Sequence, residues 1–203
     1  MPFVLLGARP RRIALDAFLT STAVVALAEI GDKTMLLAIV LAARFGRPLP
    51  IVLGILFATL ANHAFAAFVG ERASFLLDGD WFRYMVAISF IAMAAWTLVP
   101  DKLDDDEAPR PARFGAFLTT LVAFFLVEMG DKTQIATIAL GAQFQNVLTV
   151  TAGTTLGMMI ANVPAVFLGK ALIARVPLGA VRAVAALLFL AIGVWLLVSQ
   201  IGF

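Results

Sequence analysis

Two hexads of the same chemistry stand inside the most apolar parts of the chain. Glu29, Asp32 and Lys33 lie about halfway along one run of roughly thirty residues, within EIGDKT (Glu29 to Thr34). Glu128, Asp131 and Lys132 hold the same places in a second run, within EMGDKT (Glu128 to Thr133). Each hexad carries two carboxylates and one ammonium, so the two together have net charge −2 when all are ionised. A divalent cation balances that charge. Four carboxylates, Glu29, Asp32, Glu128 and Asp131, assisted by Thr34, Thr133, Gln134 or a freed backbone carbonyl, make a hard oxygen site. When the cation leaves, protons compete for the same oxygens, which is the least that a cation/proton exchanger requires. Zinc and copper sites usually draw on His or Cys, and the chain has one His and no Cys. Oxygen ligation suits Mg²⁺, Ca²⁺ and Mn²⁺. Lys33 and Lys132 do not ligate while protonated; they are expected to pair with carboxylates once the metal has left.

Spacing sets how these groups meet. On a continuous helix, Glu and Asp at i and i+3, with Lys at i+4 from Glu, share one stripe. Gly31 and Gly130 remove a side chain inside each hexad, which permits close backbone approach or a local break. The plainer reading is that each Glu–Lys pair is an internal salt bridge joining helices. That reading neutralises one carboxylate per hexad and leaves Asp32 and Asp131 over.

The elements that carry the hexads are hydrophobic throughout. The chain of 203 residues is 62% hydrophobic and 14% charged, with mean hydropathy +1.00. Soluble domains are nearer half apolar and a quarter charged, so the expected solvent is bilayer. Six stretches are long enough to span it: Ile13 to Arg44, Ile51 to Val69, Trp81 to Val99, Phe114 to Phe144, Val147 to Leu172 and Gly179 to Ile201. The first and fourth are long for one crossing, so tilt, a kink or an unwound segment is expected in each. A net charge of +2, with basic residues dispersed between apolar runs, gives no reason to expect nucleic acid. The N-terminal MPFVLLGARPRR does not read as a secretory signal, because its basic cluster follows the apolar stretch.

The chain reads as two copies of one unit. An offset of 99 residues aligns Ala17-Phe18-Leu19-Thr20 with Ala116-Phe117-Leu118-Thr119, the two hexads, Gly54 with Gly153, and Trp96 with Trp195. The expected organisation is a first three-helix repeat over residues 1–100, an acidic, proline-containing linker over 101–113, and a second repeat over 114–203. The fold class is then an all-α integral membrane protein of six transmembrane helices in two inverted three-helix repeats. Inversion follows from the odd helix count, and it puts the hexads face to face near the midplane. The Lys and Arg outside the hexads divide between the faces, with Arg9, Arg11, Arg12, Arg72 and Arg83 on one. Arg44, Arg47, Lys102, Arg110, Arg113, Lys170, Arg175 and Arg182 fall on the other. The larger set favours the cytoplasm, placing both termini outside the cell membrane.

At the hexads the chain resembles the Golgi, plastid and bacterial manganese and calcium transporters sometimes called the GDT-one family. Their hallmark is two copies of E-φ-G-D-K-[TS] in hydrophobic helices, separated by a variable, often acidic cytosolic loop. Both copies match fully, and the resemblance covers essentially the whole chain. It implies export of Mn²⁺, and in some members Ca²⁺, in exchange for H⁺ across the inner (plasma) membrane, through a site carried by Glu29, Asp32, Glu128 and Asp131. No cofactor is expected beyond the transported Mn²⁺ or Ca²⁺ and the coupled H⁺.

Other features carry less. Asn62 and Asn162 match when the register slips by one, and serve equally as helix–helix glue or as neighbours of the site. His63 is a candidate relay or ligand, but its counterpart is Val163, so a packed or interfacial histidine is expected. Trp96 and Trp195 read as interfacial anchors, and Asp104 to Glu107 as a solvated linker. Gln134 follows the second hexad where Met35 follows the first, which could give the half-sites unequal ligands. Competing readings are an exporter of small organic cations or amino acids and a non-transporting scaffold. Without HExxH, GxSxG or a nucleophile–base set, an enzyme is not expected.

Overall fold

The computed structural model describes residues 10–77, 79–100, 115–169, 171 and 176–201. The linker 101–113 with its Asp104–Glu107 run, the N-terminal residues 1–9, and the cationic positions Arg9, Lys102, Arg110, Arg113, Lys170 and Arg175 lie outside them. Among the described residues the chain is helical, in eight segments. In chain order these are α1 (Pro10–Glu29), α2 (Lys33–Phe45), α3 (Pro48–Leu76), α4 (Asp80–Thr97), α5 (Ala116–Glu128), α6 (Lys132–Phe144), α7 (Val147–Leu168) and α8 (Leu178–Ile201). Three of them, α3, α7 and α8, are each long and apolar enough to cross a membrane unaided.

Eight helices arise from six apolar stretches because the first and fourth are broken within their hexads. Gly31 and Gly130 adopt φ of +86° and +81°, the left-handed region that a side chain disfavours. The helix before each glycine ends at its glutamate. Asp32 and Asp131 then stand in extended conformation as the N-cap residues of α2 and α6. Each aspartate keeps the turn tight, its N–H donating to the glutamate carbonyl at 3.0 and 3.1 Å. The single helical stripe of Glu, Asp and Lys expected from their spacing is therefore absent. Glutamate closes one helix and lysine opens the next. The reason is steric, since a glycine at positive φ takes the chain out of the i→i−4 ladder for a turn.

Packing partners exchange between the two halves. Helix α1 lies along α7, and α5 along α3; α3 also packs on α6, and α7 on α2. Helices α3 and α7 meet each other, and α4 pairs with α8. Glycine permits the closest of these crossings. At Gly54 in α3 a methyl group would sit 2.7 Å from Thr120 Cβ of α5, and at Gly153 in α7 it would sit 2.6 Å from the Phe18 carbonyl of α1. Gly70 of α3 and Gly141 of α6 face each other's helices so closely that a Cβ would fall 1.9 Å from the Ile138 carbonyl and 2.4 Å from that of Ala67. Backbone contact of this kind is how helices associate where hydrocarbon, not water, surrounds them.

The outer surface is apolar. Phe57, Phe65 and Phe68 of α3 and Leu187, Val194 and Trp195 of α8 are exposed, and an apolar surface this broad suits lipid. Trp96, near the end of α4, is exposed too. The interior carries the polarity instead. Gly70→Ala is expected to push α3 from α6 and destabilise the protein by about 1–3 kcal/mol, the usual cost of overpacking. Gly179→Ala, where a Cβ meets nothing within 4 Å, serves as the control. Thermal unfolding in detergent should show a lower midpoint for the first variant and little change for the second.

Candidate metal centre

The two broken helices bring both hexads to one place in the interior. Glu29, Asp32, Glu128, Asp131 and Lys132 are all buried, and Lys33 remains 18% exposed. An ionised group taken from water must find partners, and the partners here come mainly from the opposite hexad. Lys132 Nζ donates to Asp32 Oδ1. Lys33 Nζ stands 3.7 Å from Asp131 Oδ1. The Glu–Lys pairs considered from sequence give way to crossed Asp–Lys pairs, with each lysine opening a new helix after the break and reaching the aspartate of the other half.

Each glutamate is held by the threonine of its own hexad. The Thr34 hydroxyl donates to Glu29 Oε2, and the Thr133 hydroxyl lies 3.1 Å from Glu128 Oε2 and 3.3 Å from Asp131 Oδ2. One oxygen of each glutamate, Glu29 Oε1 and Glu128 Oε1, is buried with no hydrogen-bond partner among the described residues. Glu29, Glu128 and Asp131 each offer a carboxylate oxygen within 4.8 Å of the others. Two atoms bound to one ion at about 2.0–2.6 Å lie no more than about 4–5 Å apart, so these three suit a common cation. The N-termini of α2 and α6, positive ends of their helix dipoles, lie at the same place.

Of the four carboxylates expected as ligands, three converge, and Asp32 lies with Lys132. The charges then resolve simply. Two Asp–Lys pairs cancel, and the two glutamates account for the remaining −2.

The supporting residues divide. Thr34 and Thr133 are at the glutamates. Gly31 and Gly130 make the breaks, and they are unequal: a Cβ on Gly31 would meet Leu178 of α8 at 2.8 Å, whereas Gly130 has nothing within 4 Å. Gln134 Oε1 accepts the Gly130 N–H at 2.7 Å, so its oxygen is engaged in closing the second turn. Asn62 of α3 donates to the Phe125 carbonyl of α5 at 3.0 Å, one turn before Glu128. Asn162 instead donates to the Met158 carbonyl of its own helix at 3.1 Å. The histidine expected to be packed or interfacial is packed, and it stands beside the site. His63 is fully buried, and its Nε2 is 3.8 Å from Glu128 Oε2. An ionisable side chain inside a membrane helix was the available signal; its missing counterpart in the second half diverted the reading.

Comparison with known proteins gives the family. The family model described as "Divalent cation/proton antiporter GDT1" matches residues 17–105 and 116–202. The chain belongs to this family. It is accordingly a membrane protein of cation transport. A protein of Vibrio cholerae named "Putative manganese exporter" is 48% identical over 182 residues, covering 89% of this chain and 90% of its own. "GDT1-like protein 5" of Arabidopsis thaliana is 29% identical over 224 residues, covering 92% and 97%. A GDT1-like protein of Synechocystis is 29% identical over 195 residues, covering 86% and 93%. No solved structure matches the chain. Both matched segments of the family model contain one hexad, so the crossed pairs join the two.

Breaking a buried ion pair by removing one partner costs about 3–5 kcal/mol. Lys132→Met should therefore lower the thermal unfolding midpoint strongly, and adding Asp32→Asn should restore much of it. A double variant no more stable than the single one would mean that this pair does not govern the stability of the centre.

Proposed function

We propose that the protein exports Mn²⁺ from the cytoplasm in exchange for protons, binding the ion between its two hexads. The observation that carries this reading is the meeting of Glu29, Glu128 and Asp131, three buried carboxylates from both halves, within 4.8 Å. Two of them keep an oxygen without a hydrogen-bond partner among the described residues, which a structural salt bridge would not require. Asp32 completes the electrostatic set through Lys132, and it becomes a ligand when that lysine moves. The similarity to a protein named as a manganese exporter supports Mn²⁺ as the cargo, and the family's description supports protons as the counter-ion. Ca²⁺ fits the same oxygen donors and is the second cargo of this reading.

Six crossings follow if α1–α2 and α5–α6 each act as one broken span, beside α3, α4, α7 and α8. Three crossings per half make the halves inverted, with residues 1–100 and 114–203 as the repeats. In such an arrangement, rocking one half against the other exposes the central site alternately to the two sides. The distribution of Arg and Lys supports cytoplasmic placement of the 101–113 linker and extracytoplasmic termini. Two protons neutralise the glutamates as completely as one divalent ion does, so their exchange leaves the charge of the centre unchanged.

The scaffold reading accounts for the crossed Asp–Lys pairs and stops there. An organic-cation exporter is less favoured, because all three converging groups are carboxylates tied to short threonine and lysine partners. In proteoliposomes with an imposed pH gradient, Mn²⁺ flux should follow the gradient. Glu29→Gln and Glu128→Gln should each lower it by about tenfold or more, the scale of loss for groups at a metal centre. Flux unchanged by both substitutions, in correctly folded protein, overturns the site.

A further inference from the structure

His63 lies beside the carboxylate cluster and belongs to neither hexad. It sits in the middle of α3, fully buried, and neither ring nitrogen has a hydrogen-bond partner among the described residues. A buried polar group left unpaired is costly, and native interiors rarely keep one without use. Its Nε2 points at Glu128 Oε2 across 3.8 Å. That separation is too long for a hydrogen bond. It is within the span of two atoms that share one metal ion, about 4–5 Å at most for bonds of about 2.0–2.6 Å.

The second half offers no equivalent. The neighbour of Asn162 is Val163, so the histidine gives the centre a donor that the repeat does not demand. Neutral imidazole is also a different kind of ligand from everything else at the site. Carboxylates bind Mg²⁺, Ca²⁺ and Mn²⁺ alike, whereas nitrogen favours d-block ions over the alkaline earths.

We propose that His63 is a nitrogen donor to the transported cation and makes the centre prefer Mn²⁺ over Ca²⁺. This rests on Glu128 being a cation ligand, as in the function proposed above. The imidazole approaches from α3 on the side of Glu128 and stands outside the converging set of Glu29, Glu128 and Asp131, so the ion that it binds is one held by Glu128 toward α3. Asn62, on the same helix, fixes α3 to α5 through the Phe125 carbonyl and so sets the distance between histidine and glutamate. His63 is thus a specificity-determining residue of the centre, and charge balance is left to the acidic and basic groups.

His63 is the one histidine of the sequence, which makes the test direct. The full-length protein, free of any histidine tag and labelled with ¹⁵N-histidine, is loaded with Mn²⁺ and studied by electron spin-echo envelope modulation. A ¹⁵N coupling from a directly bound nitrogen supports the assignment, and bound Mn²⁺ lacking it overturns the assignment without any substitution. Equilibrium binding of Mn²⁺ and of Ca²⁺ to His63→Val and His63→Asn gives the second measurement. Mn²⁺ affinity should fall by about tenfold or more while Ca²⁺ affinity changes by less than about twofold, lowering the Mn²⁺/Ca²⁺ ratio. An unchanged ratio, whether both affinities hold or both fall together, overturns the proposal. Glu128→Gln separates the two readings. If wild type binds neither ion, or if Glu128→Gln binds both as wild type does, the cation site itself fails. If Glu128→Gln loses both ions and the histidine variants keep the wild-type ratio, only the role of His63 fails.

Discussion

Ionised carboxylates withdrawn from water require an opposite charge, a donor or a cation, and this requirement organises the interior. Four carboxyl groups lie buried within two short hexads, with one lysine buried and the other 18% exposed. Neither hexad neutralises itself. The lysine of each reaches the aspartate of the other, so assembly of the halves pairs opposite charges across them. Folding, assembly and the site thus depend on one set of contacts. The same contacts leave two glutamates outside the crossed Asp–Lys pairs, each with one oxygen that has no hydrogen-bond partner among the described residues.

The breaks in the helices are what make this geometry available. An intact helix would stack Glu, Asp and Lys along one side, where the lysine could fold back on its own glutamate. A glycine at positive φ ends the first helix at the glutamate and presents the aspartate at the start of the next. Neither aspartate spends its side chain on capping its helix, so both carboxylates remain for the other half. The close glycine crossings around the centre matter for the same reason. They hold the helices at backbone contact, while Thr34 and Thr133 reach the glutamates of their own hexads across the breaks.

The halves are similar without being equal, and several of the differences involve residues of the hexads or their neighbours. Lys132 is more deeply buried than Lys33. Leu178 covers the first turn, and Gln134 closes the second from within. Asn62 ties two helices together, whereas Asn162 turns back on its own. A site formed from equal halves would present the same face to both sides. Inequality of this kind gives the interior a direction.

The sequence by itself established the apolar class of the chain, the recurrence of the hexads and the glycines as points of weakness. These are properties of residue type and local spacing, and they survive whatever the helices later do. The continuous stripe expected of Glu29, Asp32 and Lys33 did not survive, because spacing gives contacts only along an unbroken helix, and a single positive φ at Gly31 removes that premise. Which carboxylate meets which lysine was likewise closed to sequence, since the partners are about a hundred residues apart and on different helices. His63 shows the same limit from the other side. Its missing counterpart made it look incidental, and only the packing of α3 against the end of α5 puts its ring beside Glu128. Composition and spacing determined that two charged hexads must share an interior; tertiary structure alone decided that they do so crosswise, because only folding brings opposite charges from distant helices within reach.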